Sequence, residues 1–120
     1  MQAYDKFIKY REKLKENESI RKIVCHVQDW QSNNNLQNQI EERCITKSDF
    51  YYFLGFYEEI EFLRKGRFIT NKMAKDMFAF YAIEISKNKY YWEYFDEDFE
   101  NDKDWENFKI FVCKMSRMDK

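Results

Sequence analysis

The chain is poor in the two residues that most often interrupt regular structure: it contains no proline and only two glycines among its 120 residues. A many-stranded sheet needs glycine and proline for its tight turns, whereas uninterrupted helices need neither. The shortage therefore argues against all-β architectures and predicts an all-α fold. Charged residues make up 36% of the sequence and hydrophobic residues 44%, which is too apolar a composition for a disordered chain.

Long apolar runs are also missing. The longest, Phe50 to Tyr57, is far shorter than the roughly 20 residues that span a bilayer, and residues 1 to 6 lack the apolar core of a signal peptide. We therefore expect no membrane association and a cytoplasmic location. Cys25, Cys44 and Cys113 are widely spaced and odd in number, which is typical of free thiols in a reducing compartment. We interpret them as small buried hydrophobic residues.

The sequence carries no recognisable catalytic or cofactor-binding motif. Neither glycine lies in a phosphate-binding loop pattern. The single histidine, His26, follows Cys25 without a C-x-x-C or H-x-x-x-H spacing, so we expect no metal and no other cofactor, with His26 partly exposed beside a buried Cys25. Glu58 and Glu61 share a helix face and could act as acid and base in a dry cleft, but a solvated face explains them more simply.

Residues 1–120 are expected to form a single helical domain, a compact bundle of about five to six helices. Apolar residues three and four apart predict a first helix over residues 3–16 and a second from a cap at Ser19 to Trp30. The Asn-rich stretch from 31 to 35 is predicted to be a loop, and residues 36–44 a further short helix.

The strongest apolar pattern lies in the middle of the chain. Thr46 or Ser48 is placed to cap a helix that runs to Lys65, and Gly66 is expected as its left-handed C-cap. Because the first half of this helix is aromatic nearly all round, we place it at the centre of the bundle. A second cap at Thr70 predicts one helix that ends near residue 92, and apolar residues from 105 to 115 predict the last helix.

Part of the chain resembles a known group of proteins. The positions that carry the resemblance are Phe53, Phe56, Tyr57, Glu58, Ile60, Leu63, Gly66, Phe68, Ile69, Trp92, Trp105 and Phe108. On these positions the stretch from Phe50 to Met115 resembles the DUF4760-like group of small helical bacterial and phage proteins of unknown function. The resemblance implies a helical fold and, for a relative without a membrane anchor, a small cytosolic protein of a phage or mobile element.

Charge is distributed unevenly along the chain. Residues 93–106, hereafter the acidic segment, carry eight carboxylates against one lysine, a net charge of −7, whereas residues 61–92 carry a net charge of +4. The overall net charge of −1 therefore conceals a dipolar surface. The acidic segment is either a solvated connection or a docking surface for a basic partner. The candidate partner-binding residues are Glu93, Tyr94, Asp96, Glu97, Asp98, Phe99, Glu100, Asp102 and Asp104.

These patterns favour a non-enzymatic protein-binding or regulatory module. We expect a protein partner with a basic surface, for example the nucleic-acid groove of a host defence nuclease that an anti-CRISPR-like inhibitor from a phage or mobile element would occupy. A sequence pI near 5.9 argues against direct nucleic-acid binding. The alternatives are a homodimer that hides surplus aromatic surface and a small enzyme that uses cysteine or carboxylates.

Overall fold

The computed structural model describes residues 3–101 and 103–118, with only the backbone of residues 3 and 4. Within these ranges there are seven α-helices and no strand, and helix makes up 73% of the structure. The helices are α1 (Ala3–Glu16), α2 (Glu18–Ser32), α3 (Lys47–Lys65), α4 (Asn71–Met77), α5 (Ala79–Lys87), α6 (Lys89–Tyr94) and α7 (Glu106–Arg117). The all-α prediction is confirmed, with slightly more helices than expected. No helix in the described part of the chain is long and apolar enough to cross a membrane.

Helix α2 forms where its apolar periodicity predicts it, but its cap differs. The side chain of Asn17 accepts a hydrogen bond from the backbone N–H of Ile20 at 3.1 Å, so Asn17 and not Ser19 caps the helix. The Ser19 hydroxyl instead donates to Asp49 at 2.7 Å and joins α2 to the start of α3. A tertiary hydrogen bond therefore uses the hydroxyl that the local pattern assigned to the cap.

The helix predicted over residues 36–44 does not form. A short 3₁₀ helix (Asn34–Leu36) follows α2, and the chain then continues through turns to Cys44. Ile40 and Ile45 are buried in these turns, so the segment contributes to the core without regular structure. The carbonyl of Leu36 accepts a hydrogen bond from His26, which holds the 3₁₀ helix against α2.

Helix α3 is the centre of the fold, as predicted. Its N-terminus is a capping box in which the Thr46 hydroxyl accepts from the N–H of Asp49, and the Asp49 carboxylate accepts from the N–H of Thr46. Its buried residues include Phe50, Phe53 and Tyr57, and it packs against both α2 and α7. Burial on several sides explains why its first half is aromatic all round.

Three turns place a residue other than glycine in the left-handed conformation. Cys44, Arg67 and Asp96 have φ values of 57°, 63° and 57°. In each turn the N–H of the following residue bonds to the carbonyl five residues earlier, as in a Schellman motif. The prediction for Gly66 is wrong, because Gly66 has a φ of −79° and Arg67 takes the left-handed position. All three turns therefore carry the steric cost that a glycine would avoid.

One predicted helix after Thr70 is divided into three. The Thr70 cap is confirmed by a 3.0 Å hydrogen bond from the N–H of Met73 to its hydroxyl. The helix is interrupted at Phe78, whose carbonyl accepts a hydrogen bond from the hydroxyl of buried Tyr57 at 2.6 Å. It is interrupted again at Asn88, whose side chain caps the following turn. The two interruptions, one at a tertiary hydrogen bond and one at a local cap, account for the larger number of helices.

Candidate partner-binding surface

The acidic segment begins at the end of α6, where one aromatic side chain packs into the core and its neighbour faces solvent. Phe95 is buried and stacks on Phe50 with 5.0 Å between ring centroids. Tyr94, its neighbour, is 52% exposed. The chain then turns through left-handed Asp96, and the N–H of Glu97 donates to the carbonyl of Trp92 at 2.8 Å. The anchored Phe95 and the closed turn hold Tyr94 at the surface.

The carboxylates of this segment differ in exposure and in the hydrogen bonds that they accept. Glu93, Asp96, Asp98, Glu100 and Asp104 are exposed, whereas Glu97 is half-buried and accepts a hydrogen bond from the Tyr51 hydroxyl. Asp98 closes its own turn, because it accepts from the side chain of Asn101 at 2.8 Å and from the N–H groups of Asn101 and Glu100. The hydrogen bond from the Asn101 side chain is the main cause of the lowered pKa of Asp98. Asp102 lies outside the described residues.

Phe99 differs from Tyr94 because it packs inward. It is half-buried, with ring centroids 4.9 Å from Trp92 and 6.1 Å from Phe108, and it joins the edge of the hydrophobic core. The ammonium group of Lys109 lies 5.6 Å from the centre of the Phe99 ring. Phe99 therefore ties the acidic segment to α7, whereas Tyr94 presents its ring to solvent.

Two open grooves meet at Asp96. One, of about 570 Å³, runs between the end of α5 and the acidic segment, and its lining includes Lys89, Glu93 and Glu100. The other, of about 520 Å³, lies between α6 and the turn before α3, and its lining includes Tyr94 and Cys44. Asp96 lines both grooves. Exposed carboxylates and one exposed tyrosine thus border concave surface on two sides.

His26 is not the partly exposed residue that its sequence position suggested. It is fully buried, and its Nε2–H donates to the Leu36 carbonyl at 2.6 Å. Because a carbonyl only accepts, Nδ1 is the acceptor for the Tyr91 hydroxyl at 2.6 Å. Burial lowers the pKa of His26 below its ordinary value, so the ring is neutral at pH 7. Both ring nitrogens are occupied within the core, which leaves none for a metal or a nucleophile.

The interpretation of the cysteines as buried residues is also wrong. Cys44 and Cys113 are exposed and Cys25 is half-buried. Cys44 is exposed because it occupies the left-handed position of a surface turn, where the backbone and not the side chain fixes the conformation. In the part of the chain that the structure describes, no three His, Cys, Asp or Glu residues form a group that could hold a metal.

Glu58 and Glu61 do not form a solvated face, contrary to the sequence-based preference. Glu61 is fully buried and bidentate to Arg64, with distances of 2.7 and 2.8 Å. Glu58 is half-buried and accepts a hydrogen bond from the N–H of Phe108 near the start of α7. Burial raises the pKa of Glu58, although the N–H groups of α7 act in the opposite direction. The two carboxylates therefore bind different partners and hold helices together.

The positive charges between residues 61 and 92 are mostly paired or scattered. Arg64 binds Glu61 and also reaches Asn71 at 3.1 Å, and Lys72 pairs with Asp76 on α4 at 2.9 Å. Lys65 donates to a side chain on α7. These positive side chains are therefore engaged by polar partners within the fold.

A comparison with protein families, with curated proteins and with solved structures found no match for this chain.

Proposed function

We propose that this protein is a non-enzymatic binding module that docks onto a basic protein surface through the acidic segment. The observation that carries the proposal is the exposure of Glu93, Asp96 and Glu100 beside the 52% exposed ring of Tyr94. Exposed carboxylates steer a positively charged partner and fix its register, while a tyrosine supplies contact area at a low entropic cost. The two grooves that meet at Asp96 offer room for the long side chains of arginine or lysine.

The narrower proposal concerns the class of partner. A surface that spaces carboxylates along one segment resembles the charge pattern of a nucleic-acid backbone, so a groove that binds nucleic acid is a natural complement. We propose such a groove, in a host defence nuclease inhibited by a phage or mobile-element protein in the cytoplasm, as the first partner to test. The resemblance of the stretch from Phe50 to Met115 to the DUF4760-like group of bacterial and phage proteins supports this choice.

The experiment compares three purified baits, namely the parent protein, a test variant and a control variant. The test variant combines Glu93→Gln, Asp96→Asn and Glu100→Gln, since these exposed carboxylates have no structural role in the turn, unlike Asp98 and Glu97. Each bait is used to capture proteins from host lysate, and mass spectrometry quantifies what is bound. The association rate of any captured protein is then measured over a series of salt concentrations, because exposed charges act mainly through screened steering.

A matched control removes the same charge elsewhere. It combines Asp5→Asn, Glu12→Gln and Glu16→Gln, three exposed residues of α1 that line neither groove. The proposal expects the control to bind like the parent, and the test variant to associate at least about tenfold more slowly with a weaker salt dependence. Equal recovery and equal rates for both variants would contradict docking at this surface. For a nuclease partner, added duplex DNA should compete with the parent for binding.

A further inference from the structure

One face of α3 carries large aromatic side chains that are partly exposed to solvent. Tyr51 is 36% exposed and Phe62 is 66% exposed, the highest value among the large hydrophobic residues described. Because an α-helix turns by about 100° per residue, Tyr51, Gly55 and Phe62 fall within roughly 40° of one another. Tyr52, 42% exposed, borders the same face. These residues define the α3 face.

Gly55 lies in the middle of this face and in the interior of a 19-residue helix. A glycine there destabilises the helix relative to alanine, because it loses more conformational freedom on folding. Apart from its chain neighbours and the local helix backbone, no described atom lies within 4 Å of the position where a Cβ would stand, so no tertiary contact requires glycine. A residue without a side chain on an exposed aromatic face instead permits close approach by a backbone from outside.

The two edges of the α3 face carry opposite charge at the same level of the helix. On the α1 side, the ammonium group of Lys13 lies 5.5 Å from the centre of the Tyr52 ring. Lys9 is on the same edge, and the two lysines outweigh the single charge of Glu59, which accepts from Tyr10 at 2.7 Å. On the other side, Glu97 of the acidic segment accepts from Tyr51. The net charge of −7 on that segment outweighs Lys47, which also contacts Tyr51.

We propose that the α3 face is the interface of a homodimer whose two-fold axis runs along α3. Such an axis keeps the two copies of α3 parallel, and it places the Lys13 edge of each copy opposite the Glu97 edge of the other. A two-fold axis perpendicular to α3 would oppose lysine with lysine and carboxylate with carboxylate, which is unfavourable. Gly55 of each copy faces the partner helix and allows the aromatic rings to pack around the contact.

The Gly55→Gln variant tests dimerisation without destabilising the fold of the monomer. Glutamine is a better helix former than glycine and has free space at this position, so the substitution should raise the melting temperature of the dilute monomer. Its side chain should hold the two helices apart and raise the dimer dissociation constant at least about tenfold. Sedimentation velocity from about 1 μM to about 500 μM measures the constant. Tyr90→Gln, which removes a 42% exposed ring on α6, is the matched control and should leave it unchanged.

A charge exchange tests the orientation of the two copies. Lys13→Glu should weaken the dimer about tenfold, and adding Glu97→Lys in the same chain should restore it, because the exchanged edges again oppose each other across the two-fold axis. Lys114→Glu is the control, because it changes the net charge by the same amount at an exposed position on α7. A parent that remains monomeric at about 500 μM, or a Gly55→Gln variant that dimerises like the parent, overturns the proposal. A double exchange that fails to restore the dimer overturns the parallel arrangement.

Discussion

Acidification should destabilise this protein through His26. Its Nδ1 accepts from Tyr91 and its Nε2–H donates to Leu36, both at 2.6 Å, and the ring of Trp30 lies 4.8 Å away. Burial is the main cause that lowers its pKa from the ordinary value of 6.5, and nearby Arg43 acts in the same direction. The hydrogen bond to Leu36 and the charges of Asp29 and Glu42 oppose the shift but do not reverse it.

The sign of the effect follows from proton binding. Below about pH 6.5 the unfolded chain protonates His26 while the folded chain does not, so the unfolded state binds more protons. The free energy of unfolding is therefore unaffected above the unfolded pKa and falls by about 1.4 kcal/mol per pH unit below it, until the folded pKa is reached. A loss of that size corresponds to roughly 6 °C in melting temperature for a domain of this length.

The assay is urea unfolding followed by far-UV circular dichroism between about pH 7 and pH 5.5, where most carboxylates remain ionised. The comparison is with His26→Gln, because the glutamine amide can still donate to Leu36 but does not titrate. The parent should lose stability across this range and the variant should show a flatter profile. Parallel profiles for the two proteins would refute the assignment of a buried, neutral His26.

Three further predictions concern stability. Arg67→Gly should raise the free energy of unfolding by about 1 kcal/mol in urea titrations, because φ is 63° at this position, whereas Arg67→Ala should not. Glu61→Gln should lower the free energy of unfolding by about 3 kcal/mol, because Arg64 loses a buried counter-charge. Replacing both Glu61 and Arg64 with methionine should lower it by less in the same titrations, because no unpaired charge is left. Phe99→Ala should lower the free energy of unfolding by about 2 kcal/mol because the ring packs on the core. Tyr94→Ala should change it by less than about 0.5 kcal/mol, because the ring is exposed, and thermal melting of the two variants measures the difference.

The sequence determined the features of this fold that depend on neighbouring residues. The helical periodicity predicted α1, α2, α3 and α7, and the hydroxyls of Thr46 and Thr70 were recognisable caps because a cap bonds to an N–H only three residues away. The net charge of the acidic segment likewise indicated a polar surface, since carboxylates are rarely fully buried.

Only the tertiary structure decided which residues depart from these local rules. Phe78 interrupts a helix where the Tyr57 hydroxyl binds its carbonyl, and His26 is buried because Tyr91 and Leu36 satisfy both ring nitrogens. Phe99 and Tyr94 look alike in sequence, yet the first packs on Trp92 and the second faces solvent. In each case the deciding partner is distant in sequence. Packing and buried hydrogen bonds outweigh local propensities because an unsatisfied polar group in the core costs more than a broken helix turn.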